Sequence, residues 1–186
     1  PISPPAVKPS WNGPTKEKPF IIGYVSMKSS QKYSLFRNKN SRPISFRADP
    51  KMSTAAVIGF LFSQQLLPIR LDLQGQLLGW CRFIEESRII SGTMPLSELS
   101  SSQPLHIQLI KNIPRQVTLS IPEKNIRIQS ILGSAIPFLS LVDLIGRWYK
   151  LPAKKWRIFV NQSPVDPYHI LFDFPNDTPL TLELRS

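Results

Sequence analysis

The 186-residue sequence predicts an α+β fold built twice over: two consecutive units, each of two strands, one helix and two further strands on a mixed sheet. Three observations predict it. Strict apolar alternation recurs in "RQVTLSIP", "NIRIQSIL" and "LTLEL", as half-buried strands require. One stretch in each half, "DPKMSTAAVIGFLFSQQLLP" and "SLVDLIGRWYKL", switches to helical spacing. The same order then appears on both sides of a short connection, "KNIPRQ". The expected boundaries are a Pro-rich tail over 1–19, a first unit over 20–111 and a second over 114–186.

The tail "PISPPAVKPSWNGPTKEKP" carries six prolines and few apolar residues. Proline fixes φ and removes a donor, so the tail is expected to be extended and linker-like. In the first unit "FIIGYVSM" and "YSLFRN" read as strands joined by a "KSSQK" hairpin loop, with "PISFRA" either a further strand or an extension of the second. Ser53 or Thr54 can cap the helix that follows, Val57, Phe60, Leu61 and Leu67 share its stripe, and Pro68 stops it. "IRLDLQ" alternates, a "QG" turn leads to "LLGWCRFI", and the unit closes on "LHIQLI" with Leu105, Ile107 and Leu109 on one face.

The second unit is shorter. Its two alternating strands turn at Pro122, Glu123 and Lys124. Ser140 with Asp143 three residues on resembles a capping box, opening a helix with Leu141, Leu144, Ile145 and Trp148 on its apolar stripe. "RIFV" is a strand, "NQSPVDPYH" an irregular crossing, and "LTLEL" the closing strand.

Composition narrows the chemistry. Cys81 stands alone beside Trp80 and Phe83, which reads as a small buried hydrophobe in a reducing compartment, cytoplasmic or nuclear. His106 and His169 are far apart, and neither has a partner at metal-ligand spacing. Phosphate-cradling glycine loops, catalytic constellations and runs long enough to span a membrane are not found, so no enzyme activity, cofactor, metal or small-molecule substrate is expected. The chain begins on Pro1 without a signal sequence and is expected to be a piece of a longer product.

The net charge of +11 is unevenly spread. Residues 8–51 hold ten Lys/Arg against Glu17 and Asp49, and 52–110 hold three against four acids. The second basic concentration is Arg147, Lys150, Lys154, Lys155 and Arg157, interleaved with Trp148, Tyr149 and Trp156 and containing no acid. Part of it suits a helix C-terminus. The rest fits a patch for an acidic protein surface or for phosphates.

"KKWRIFVNQSPVDP" and "FPNDTPLTLELRS" resemble the second half of a ubiquitin-like β-grasp domain, in which a strand of the form R-[LI]-I-F precedes a closing strand of the form T-L-H-L-x-L-R. Arg157, Ile158, Phe159 and Val160 match the first form, and Leu180, Leu182, Leu184 and Arg185 the second. "RIISGTMPLSEL" and "QPLHIQLI" are a looser copy, so the resemblance covers 20–186 as two tandem β-grasp domains. It implies a non-catalytic scaffolding or protein–protein interaction module. Ubiquitin-like modifiers need a terminal diglycine, and this sequence stops at Leu184-Arg185-Ser186, so the modifier alternative requires a tail beyond Ser186.

The resemblance also implies a recognition surface on the outer sheet face. It sets Ile158 at the centre as an exposed apolar anchor, Thr181 and Glu183 beside it, and His106 at the corresponding histidine position of the first unit. Phe159 is then expected in the core, with Trp148; Trp156 is open to either face. With Lys154, Lys155, Arg157, Arg147 and Lys150 around the anchor, the expected partner is a protein with an acidic surface, and nucleic acid is the alternative.

Overall fold

The computed structural model describes residues 20–22, 28–37, 42–67 and 79–186. The tail over 1–19 and the alternating "IRLDLQ" lie outside the described residues. Contacts divide the chain into two compact units, one holding 20–67 and 81–110 among the described residues, the other Gly79, Trp80 and 111–186. No helix among the described residues is long and apolar enough to cross a membrane.

The first sheet contains β1 (Phe20–Ile21), β2 (Gln31–Phe36), β3 (Ile44–Ala48), β4 (Gly79–Glu85), β5 (Arg88–Ile89) and β6 (Leu105–Lys111). Its order is β1-β3-β2-β6-β4-β5. β2 and β3 form the antiparallel hairpin, with Tyr33 opposite Phe46 and the two rings stacked at 5.5 Å. Of the strand expected over "FIIGYVSM", "GYVSM" lies outside the described residues; its start, β1, pairs parallel with β3, and the antiparallel partner of β2 is "PISFRA" rather than β1. Along β6, Leu105 and Ile110 are buried and Leu109 is exposed, so the even Leu105–Ile107–Leu109 face does not hold to the strand's end.

Helix α1 (Thr54–Ser63) starts as its sequence requires. The Ser53 Oγ accepts the Ala56 N–H at 3.1 Å, satisfying one orphan donor of the first turn. Seven of its ten residues are buried, including Ala55, Val57, Ile58, Leu61 and Phe62, so it has no wet face of ordinary width.

The second sheet contains β7 (Pro114–Ile121), β8 (Ile126–Gly133), β9 (Arg157–Val160), β10 (Ser163–Pro164) and β11 (Thr181–Arg185), in the order β10-β9-β11-β7-β8. The β7–β8 turn is a 3-10 turn over Pro122–Lys124, closed by Asn125 at φ 52°, a left-handed position asparagine tolerates. The core side holds Val117, Leu119, Ile121, Leu132, Ile158, Val160, Leu182 and Leu184 against Phe138, Leu141 and Ile145 of α2 (Phe138–Trp148).

α2 departs from expectation at both ends. It begins two residues before Ser140, at Phe138 after Pro137, with no side-chain cap, so the Ser140–Asp143 pair is not its capping box. The buried positions are Phe138, Leu141 and Ile145, with Leu144 partly buried against the same core. Trp148, expected in the core, is 51% exposed.

The two helices end alike. In α1 the Leu66 N–H reaches the Leu61 carbonyl at 3.0 Å and the Gln65 N–H the Phe62 carbonyl at 2.9 Å, with Gln65 at φ 59°. In α2 the Leu151 N–H reaches the Gly146 carbonyl at 2.9 Å, with Lys150 at φ 49°. Both carry the long backbone bond and left-handed residue of a Schellman stop, made without glycine.

Two side chains hold the irregular parts of the second unit. The Arg115 guanidinium donates to the carbonyls of Leu171 (2.7 Å), Phe174 (2.7 Å) and Pro175 (2.5 Å), and its burial lowers its pKa. The Asn112 side chain accepts the Ala135 N–H at 3.2 Å and lies where a Cβ on Gly133 would fall, so a larger residue there would have to displace it.

Candidate functional site

The site is built on the sheet face of the second unit that turns away from α2. Side chains alternate across a strand, so the core positions fix the outer ones. Leu182 and Leu184 of β11 are buried, and their cross-strand partners on β9 are Val160 and Ile158. Ile158 is therefore a core residue, 5% exposed, which overturns its expected role as the exposed anchor. Phe159, expected in the core, takes the outer face and is only half-buried.

One row of outer residues crosses the whole sheet: Arg127, Ser120, Glu183, Phe159 and Pro164, on β8, β7, β11, β9 and β10 in turn. Beside it Arg185 pairs with Arg157, and on the other side Gln129, Thr118 and Thr181 line up. The Gln129 amide donates to the Thr118 hydroxyl at 2.9 Å.

Arg185 organises the centre. Its Nε and Nη2 donate to the two oxygens of Glu183 at 2.9 and 3.0 Å, and Nη2 also reaches Gln162 Oε1 at 2.8 Å. The guanidinium carbon sits 4.2 Å from the centre of the Phe159 ring. A bidentate pair stacked on an aromatic face is a pre-organised cation, fixed in direction before any partner arrives. The hydrogen bonds from Arg185, and then the charges of Arg185 and Arg127, hold the Glu183 carboxyl below its ordinary pKa of 4.5. A depressed carboxylate stabilises the fold above its ordinary pKa, and this contribution is lost as pH falls through the lowered folded value. Unfolding followed from pH 7 down to pH 3 should therefore show a stability loss below about pH 5 that is smaller in Glu183→Gln.

The expected site residues divide. Arg157 is exposed on the outer face, and Thr181 lies there half-buried. Lys154 and Lys155 are exposed just before β9, where the Lys154 Nζ stands 3.5 Å from Glu123. The N–H and hydroxyl of Ser186 also donate to Glu123, and these bonds, more than Lys154, lower that carboxyl's pKa. Trp156 is half-buried against the core, its Nε1 donating to the Pro152 carbonyl at 3.0 Å. Arg147 and Lys150 stay exposed at the end of α2, and the left-handed backbone of Lys150 gives it a helix-ending role. His106 belongs to the other unit, where it stacks on Phe36 at 5.3 Å and lines a cleft of about 460 Å³ with Glu85, Glu86 and Ser87.

Sequence reasoning missed Arg127 and Phe159 as members of the face, and gave Arg185 no role beyond a motif match. The signal that could have found Arg185 is the alternation of "LTLELRS": once its leucines are inward, Glu183 and Arg185 must point outward together.

Elsewhere, Cys81 is buried and its thiol is pushed up to about 11, first by burial. The His169 ring is buried, with Nδ1 accepting the Asp166 N–H at 2.8 Å and the ring tilted against Phe174 at 6.0 Å. Among the described residues no three His, Cys, Asp or Glu side chains gather as a metal site. No protein-family model matches the chain, and no curated protein is similar to it.

Proposed function

We propose that the chain is a non-catalytic interaction module of two tandem β-grasp, ubiquitin-like units, and that the second unit docks an acidic protein surface on its outer sheet face. Two features support the tandem reading. In each unit an antiparallel hairpin precedes the helix, and the last strand enters the middle of the sheet, parallel to the hairpin's first strand. Numbered within its own unit, each sheet then runs second, first, last, third, fourth strand, with β1 added at one margin of the first sheet.

The observation that carries the docking reading is the Phe159–Arg185–Glu183 cluster. It offers an aromatic ring and an oriented guanidinium on a face where Arg127, Arg157 and Arg185 outnumber the single carboxylate. Such a face rewards a carboxylate-bearing partner twice: the fixed cations speed encounter, and the ring supplies the apolar contact that slows release. Lys155, exposed just before β9, adds to the same sign, while Lys154 is paired with Glu123.

The test is an NMR titration with an Asp/Glu-rich peptide of about a dozen residues, against its Asn/Gln counterpart. The acidic peptide should move amides along the Arg127–Pro164 row, and Arg127→Glu with Arg157→Glu should weaken it about tenfold, as the loss of two rim charges allows. Absence of shifts in that row removes the reading. Tighter binding by a single-stranded oligonucleotide of equal charge, with a steep salt dependence, transfers the face to nucleic acid.

A further inference from the structure

Among the described residues four strands end the two sheets, and three of them are two residues long: β1, β5 and β10. β10 also contains Pro164, which has no N–H to offer. The fourth, β8, runs for eight residues with no proline and no residue of positive φ. In an antiparallel edge strand, alternate N–H and C=O groups point away from the sheet. No strand among the described residues pairs with that side of β8. Proteins blunt such edges by brevity, proline, bulges or charge. β8 has one charge, Arg127, and two exposed isoleucines on opposite faces, Ile128 at 41% and Ile131 at 69%.

We propose that β8 is a self-pairing edge: two copies of the chain join β8 to β8 antiparallel about a two-fold axis, making one ten-stranded sheet. An axis perpendicular to the sheet keeps each face on its own side, so only residues of equal parity can stand opposite one another. The register centred on Gln129 uses residues 126–132 of both copies, nearly the whole strand. It sets Gln129 against its own counterpart, Ile128 against Ser130, and Ile131 against the aliphatic stem of Arg127. Arg127 never meets Arg127, so the one charge on the strand does not oppose pairing even in a chain of net charge +11. A strand from an acidic protein would find a single cation along eight residues, too little charge to favour it over a second copy. The pairing uses the edge, shares Arg127 with the docking row and leaves the Phe159–Arg185 centre uncovered.

Sedimentation of the full chain from about 1 µM to about 1 mM should show a reversible shift from monomer to dimer, the range in which weak association is read. Ile128→Lys with Ile131→Lys should remain monomeric throughout, with an unchanged far-UV spectrum and undiminished response to the acidic peptide. Gln129→Cys should cross-link two chains under mild oxidation, whereas Gln116→Cys, exposed one strand further in, should not. If the lysine variant fails to fold, the cysteine pair alone decides. A wild-type chain that stays monomeric, a dimer that persists in the folded lysine variant, or equal cross-linking at 116 and 129 overturns the proposal.

Discussion

The two units share their backbone punctuation and differ in what they cover. Both helices stop at a left-handed non-glycine residue, Gln65 and Lys150. Both β-strands after the helix turn back through two residues of positive φ, Glu86 and Ser87 in one, Asn161 and Gln162 in the other, as in a type I′ hairpin. Burial is another matter. β4 is buried from Gly79 to Phe83 on both faces and encloses Arg82, which donates to the Cys81 carbonyl at 3.0 Å; β9 alternates between core and outer face. α1 is buried around most of its circumference, and α2 buries one stripe. One backbone plan thus yields a unit whose central strand is buried on both faces and a unit whose corresponding strand alternates between core and outer face.

The largest test of this contrast pairs the strands. Ile158→Ala removes a core side chain and should cost roughly 2–5 kcal/mol in chemical denaturation while leaving peptide affinity of the folded protein unchanged. Arg157→Ala, its neighbour on the open face, should cost under about 0.5 kcal/mol. A comparable cost for both would mean that β9 is covered as β4 is.

Gly133→Ala comes next. Its Cβ would meet the Asn112 amide, and overpacking of this kind typically costs ~1–3 kcal/mol. Combining it with Asn112→Ala should recover part of that loss in a double-mutant cycle, because the obstruction is one side chain.

The helix starts separate the units at a smaller scale. Ser53→Ala should cost about 1 kcal/mol through the lost cap, and Ser140→Ala should cost almost nothing, since Ser140 lies inside α2. Thermal unfolding of both variants reads the difference. The stops should respond equally: Gln65→Gly and Lys150→Gly should each gain about 0.5–1 kcal/mol by relieving left-handed strain, the smallest effect and the one that measures how closely the backbones repeat.

These same features mark how far the sequence could be read. Alternation in "RQVTLSIP", "NIRIQSIL" and "LTLEL" is local and strong, and the strands it predicts are present. The phase of "RIFV" is not local. Three apolar residues in four allow either face inward, and the choice is made by Leu182 and Leu184 across the strand boundary. That is why Ile158 and Phe159 exchanged roles. The first hairpin was lost for a similar reason: "FIIGYVSM" has the pattern of a strand, but pattern does not name a pairing partner. At α2 the helix begins at Phe138 after Pro137, ahead of the capping pair, and helical spacing alone does not show that Trp148, on the last turn, lies exposed. The Arg185–Phe159 contact joins residues 26 positions apart and needs the sheet to exist before it can be seen.

The place of the last strand has a consequence for synthesis. β6 and β11 each come last in their unit, yet each lies between strands made earlier. Neither sheet can therefore be completed while its final segment is still inside the ribosome. The first unit becomes able to close once Lys111 is clear, before β11 has emerged. By the time Leu184 emerges and the second sheet can join its halves, the first has had the time needed to add more than seventy residues, several seconds at about 5–20 residues per second. Finishing at different times gives the first sheet its own last strand before the second sheet's last strand can compete for the place.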